Sequence, residues 1–128
     1  MHLGQLAAHV ANLANWLALT IQRDELDLAA FPPPDRRGPA ASSELLALFD
    51  KNAAAARAAF AQLEDAALDA TWTLRMGDRV LKAMPRRRVL RTMCLSHMIH
   101  HRAQLLVYLR LLNVSVPAVY GPSADEAA

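Results

Sequence analysis

Residues 85–112, Pro85-RRRVLRTMCLSHMIHHRAQLLVYLRL-Leu112, form the longest uninterrupted helical pattern in the chain. Pro85 suits a first helical position, where its missing N–H costs nothing. Asn113 suits the left-handed residue that ends a helix, and Pro117 follows soon after. Between them Leu90, Cys94, His97, Met98, His101, Leu105, Tyr108 and Leu112 recur at spacings of three and four and draw one apolar stripe. Two histidines lie in that stripe. His97 and His101 stand one turn apart on the same face, with about 5–6 Å between their Cβ atoms, so two imidazoles can reach one divalent ion.

Outward from this helix, composition sets the class. The chain has 128 residues, 54% of them hydrophobic, with 5% aromatics and 4 glycines. That is one domain by size, and an alanine-heavy, aromatic-poor composition points to helices rather than a β-sandwich. The expectation is an all-α, up-down helical bundle with three long helices and a short hairpin or loop near 71–84. A net charge of +2 makes nucleic acid an unlikely partner, because phosphate binding needs a broad basic face. The single cysteine, Cys94, excludes an internal disulfide and suits a reduced, cytoplasmic setting. No signal peptide and no run of about 18 apolar residues is present, so no membrane association is expected.

The first helix is predicted from about Leu3 to about Arg23, with Leu3, Leu6, Val10, Leu13 and Leu17 as its stripe and Trp16 beside it. His9, three residues after Leu6 and four before Leu13, points inward with them. Pro32, Pro33 and Pro34 forbid continuation, and 31–41 reads as an exposed connector. Ser42 or Ser43 caps a second helix over about 43–67. The run Thr71–Pro85 alternates around Trp72 and Leu74, with Gly77-Asp78 as a tight turn, and carries Trp72 into the core. The residues after Asn113 form an extended tail, docked at Tyr120 if anywhere.

Three inward imidazoles, His9, His97 and His101, are the ligand set of a divalent-metal site with positions left open to water or substrate. His100 competes, but its direction lies about 60° off the stripe, which favours a supporting or surface role. Cys94 is read as a space-filler rather than a thiolate ligand, Gln104 as a residue able to hold a ligand or a water, and His2 as solvated. The basic run Arg86–Arg88 is read as the solvated start of a helix, where positive charge is unfavourable, or less readily as an anion or partner site.

HLGQLAAHVANLANW (2–16), together with LSHMIHHRAQLLVYLRLLNVSVPAVYGPSADE (95–126), resembles the DinB family of small bacterial helical-bundle proteins. The wider superfamily includes thiol-dependent S-transferases and mycothiol-dependent maleylpyruvate isomerases. The family's metal histidines fall on His9, His97 and His101, and its usual HHRGQ reads HHRAQ here, with Ala103 for glycine. The resemblance implies a four-helix bundle of which this chain carries the second, third and fourth helices, so an N-terminally truncated domain is expected. It also implies an apolar groove that a homodimer would fill. A zinc, nickel, iron or manganese ion is implied, with a low-molecular-weight thiol as a possible cofactor. The implied activity is thiol S-transfer to, or hydrolysis of, a small electrophilic substrate. The alternative is a non-enzymatic bundle protein of the bacterial stress response, metal-stabilised or metal-free.

Overall fold

The computed structural model describes residues 2–31 and 41–126. Helix α1 spans Leu3–Gln22. His2 caps it: its Nδ1 accepts from the Gln5 backbone N–H at 3.4 Å, while the His2 N–H donates to Gln5 Oε1 at 3.0 Å. This reciprocal pair satisfies two amides that the helix start leaves without partners. Strand β1 (Glu25–Asp27) follows directly and leads into a 3-10 turn at Leu28–Ala30. Most of the expected connector over 31–41, including its three prolines, lies outside the described residues. Helix α2 spans Ser42–Ala61. It ends earlier than the expected residue 67, giving way to a 3-10 turn at Asp65–Leu68. Its N-cap is Ala41, with no side-chain cap, rather than either serine.

The all-α expectation needs correcting. Strands β2 (Thr71–Met76) and β3 (Arg79–Pro85) form the anticipated hairpin, and β1 pairs with β2 in parallel, giving a three-stranded sheet in the order β1-β2-β3. Gly77 takes a left-handed φ of +57° at the turn, which an L side chain rarely adopts. Asp27 ties β1 to that turn: one carboxylate oxygen accepts from the Gly77 and Ala29 amides, each at 2.9 Å. These amide bonds, aided by the Arg75 guanidinium, hold the Asp27 carboxyl below the usual carboxylate range.

The last helical run begins at α3 (Arg86–Val89), passes without a break through a π-helical segment (Leu90–Ser96), and continues as α4 (His97–Leu111). Pro85 is the residue before this run and still belongs to β3, one position earlier than expected. The run ends as the sequence anticipates. Asn113 sits at φ +57°, its N–H donates to the Arg110 carbonyl at 2.9 Å, and the Val114 N–H donates to the Leu109 carbonyl at 3.0 Å. That is a Schellman closure. The tail then docks through buried Val116 rather than Tyr120, which is 93% exposed. Asp125 holds it there, pairing with Arg110 and accepting from the Val116 N–H at 3.1 Å.

Helix α1 packs on both α2 and the last helical run. Its buried alanines, Ala11, Ala14 and Ala18, widen the leucine stripe read from the sequence. Leu17, Ala56, Leu90 and Cys94 make one core cluster, and Leu26, Trp72, Leu74 and Val89 make another against the sheet. Trp16 packs on both. Trp72 is fully buried, as anticipated, and its indole N–H has no partner among the described residues. Among those residues, no helix is long and apolar enough to cross a membrane.

Of the run Arg86–Arg88, read as a solvated helix start, Arg87 and Arg88 are exposed as expected, but Arg86 is not. It is 4% exposed. Its guanidinium donates to the carbonyls of Thr20 (2.9 Å), Ala67 (2.7 Å) and Arg23 (3.3 Å), and pairs with Asp24. The Asp24 carboxylate is 86% exposed, so water shares that charge and the carbonyls do most of the holding. A buried guanidinium with all three of its nitrogens engaged resolves the apparent conflict with the helix dipole, because its charge serves the ends of α1 and the preceding turn. Substituting Arg86 by leucine should destabilise the fold by about 3–5 kcal/mol, since the carbonyls would be buried without donors. Arg87→Ala should cost under about 0.5 kcal/mol, because Arg87 and its partner Asp69 are both largely exposed. Urea unfolding of the two variants checks both values.

Candidate metal centre

The three histidines expected to meet do so. His9 comes from the second turn of α1, and His97 and His101 come from the first two turns of α4. His97 Nε2 lies 3.4 Å from His9 Nε2 and 2.9 Å from His101 Nε2. One ring nitrogen from each residue falls within 4.8 Å of the other two, and the set can hold a metal ion. Among the described residues it is the one such cluster of histidine, cysteine or carboxylate groups. The rings stand edge to face or tilted, with centroids 4.6–5.1 Å apart.

The other ring nitrogens have their own partners. His97 Nδ1 lies 3.3 Å from the Met93 carbonyl, and His101 Nδ1 lies 2.7 Å from Gln104 Oε1. A carbonyl oxygen can only accept, so each of these contacts places the proton on Nδ1 and leaves the Nε2 lone pair free. Two lone pairs then face each other across 2.9 Å. Without a shared proton or a cation they repel. A tetrahedral ion bound to imidazoles at about 2.0–2.1 Å separates its ligand atoms by roughly 3.3 Å, close to the two spacings observed. The residues therefore fit a divalent ion.

Charge supports the same use. Burial, followed by the neighbouring imidazoles of His101 and His97, lowers the pKa of His9 below its usual 6.5. Burial and then His101 do the same to His97, against an opposing pull from the Met93 carbonyl. Both groups are thereby kept neutral near pH 7, the form that binds metal.

The other residues singled out in the sequence sort cleanly. Gln104 meets the His101 ring through its side-chain carbonyl, in keeping with its position near the histidine line. His100 is exposed, and its ring packs on that of His101 with centroids 4.8 Å apart. Cys94 is fully buried, 3.7 Å from the Thr20 hydroxyl, and burial pushes its thiol pKa up, so it fills space and stays protonated. Sequence reasoning missed the Met93 carbonyl. No side-chain signal could have revealed it, because the backbone supplies the acceptor from within the π-helical segment just before His97.

The sequence model of the DinB family matches residues 1–128, the whole chain. No curated protein and no solved structure matches the chain significantly. The chain belongs to the DinB family.

Proposed function

We propose that this protein binds one divalent metal ion through His9, His97 and His101 and uses it to transfer a small thiol to an electrophilic substrate, or to hydrolyse that substrate. The observation that carries the reading is the convergence of Nε2 lone pairs, two of them from rings whose Nδ1 atoms are already committed to acceptors. Zinc, nickel, iron and manganese all accept imidazole ligands. When bound, such an ion supplies Lewis-acid activation of a thiol or a water molecule near neutral pH. The protein's own part is to orient three rings and to keep those of His9 and His97 neutral. Met93 and Gln104 fix the tautomers of the two α4 ligands, a role that commonly strengthens metal binding.

The direct test is elemental analysis after anaerobic purification. The wild-type protein should carry about one equivalent of a divalent metal, and His97→Ala and His101→Ala should each lose most of it. Either variant retaining a full equivalent would end this reading. A metal that raises the melting temperature while the loaded protein acts on no thiol or ester substrate would favour the non-enzymatic alternative.

A second expectation concerns pH. In the metal-free protein His9 and His97 resist protonation, whereas in the unfolded chain they protonate near the usual 6.5. Below that value the unfolded state binds more protons, so stability is full above about 6.5 and falls as the pH drops through the window beneath it. Urea midpoints of metal-free protein at pH 7.5 and 5.5 should show the loss, and a His9→Ala/His97→Ala double variant should show less of it.

The homodimer is proposed on separate grounds. Val107, Tyr108, Leu111 and Leu112 are exposed apolar residues at spacings of three and four, sharing one face at the C-terminal end of the last helical run. Sedimentation should show a dimer that Val107→Glu and Leu111→Glu convert to monomer.

A further inference from the structure

A groove of about 420 Å³ opens between α1 and the last helical run, lined by Trp16, Thr92, Met93, Ser96, His97 and His100. Its volume falls within the range of small-molecule sites. Its lining is almost all carbon, and no aspartate, glutamate, lysine or arginine contributes to it. The few polar atoms nearby are mostly engaged. The Thr92 hydroxyl donates to the Arg88 carbonyl at 2.7 Å, and His97 Nδ1 is tied to the Met93 carbonyl. His97 belongs both to this wall and to the histidine cluster. A molecule seated in the groove therefore lies against a ring whose Nε2 is turned to the other two histidines.

We propose that this groove binds the neutral, apolar portion of the substrate, on the scale of one or two aromatic rings, and presents it to the histidine cluster. An anionic group would gain nothing from a carbon wall and would lose its hydration on entering. The chemistry that follows binding rests on the metal reading above, but binding itself does not. A second cavity of about 550 Å³, between the C-terminal ends of α1 and α2, is less suited. Gln22, Gln62 and Glu64 line it, and no histidine does.

N-phenyl-1-naphthylamine, a neutral fluorescent probe, tests the assignment by titration against metal-free and metal-loaded protein. Ser96 and Ala58 are both exposed, so enlarging either leaves the core intact. Ser96→Phe should fill the groove and weaken probe binding at least about tenfold. Thr92→Phe should do the same, while Ala58→Phe, which fills the other cavity, should leave binding unchanged. The anionic analogue 1-anilinonaphthalene-8-sulfonate should bind at least about tenfold more weakly than the neutral probe. His101→Ala should keep the probe while losing the metal, because His101 does not line the groove. Unchanged binding in Ser96→Phe and Thr92→Phe, or equal binding of the two probes, would overturn the assignment whatever the metal content. Binding that strengthens as the protein is diluted to monomer would give the groove to a second copy and overturn it too. Wild-type protein that takes up no divalent metal when supplied with it, yet shows the full probe pattern, would sink the metal reading and leave the groove standing.

Discussion

The site depends on one register: α1 and the last helical run, far apart in the chain, must lie antiparallel with matched positions opposite each other. Three contacts fix it. At one end the Arg86 guanidinium donates to the Thr20 carbonyl. In the middle Leu17 packs with Leu90 and Cys94, and Cys94 meets the Thr20 hydroxyl. At the other end His9 meets His97. Eleven positions separate His9 from Thr20, about 16 Å of α-helix, and eleven separate Arg86 from His97 across the π-helical segment. A slip of one residue in either helix would turn the imidazoles away from one another and strip Arg86 of its carbonyls together. Stability and site geometry are thus carried by the same pairing.

The small sheet explains why the last helix starts where it does. Strand β3 delivers the chain at Pro85, and the next residue, Arg86, plugs the carbonyl-lined space left by the ends of α1 and the Asp65–Leu68 turn. Parallel pairing of β1 with β2 draws the chain leaving α1 back to the hairpin, and Asp27 fastens it there through two amides. Trp72 and Val89 fill the space between sheet and helices. The sheet is therefore the anchor from which the helix carrying His97 and His101 projects.

Between Arg86 and His97 that helix runs as a π-helix over Leu90–Ser96. Wider turns of this kind occur often beside functional sites. Here the segment carries Met93, whose carbonyl sets the His97 tautomer, and it lines the apolar groove through Thr92, Met93 and Ser96. The same few residues fix the His97 ring and build the wall beside it.

Local chemistry along the chain was enough to read the helices, the Gly77 turn and the left-handed Asn113, because apolar spacing and residues tolerant of positive φ act within a few neighbours. It was also enough to nominate His9, His97 and His101, since spacing alone says which residues share a face. Strand β1 was not legible: three residues carry no pattern, and only pairing with β2 makes them a strand. Nor was Arg86 legible as a buried residue, because its partners are carbonyls of Thr20, Arg23 and Ala67, groups that every residue possesses and that only the packing brings together. The direction of each imidazole was written in the sequence. Whether their nitrogens would stand 3 Å apart or 10 was decided by how two distant helices settled against a common core.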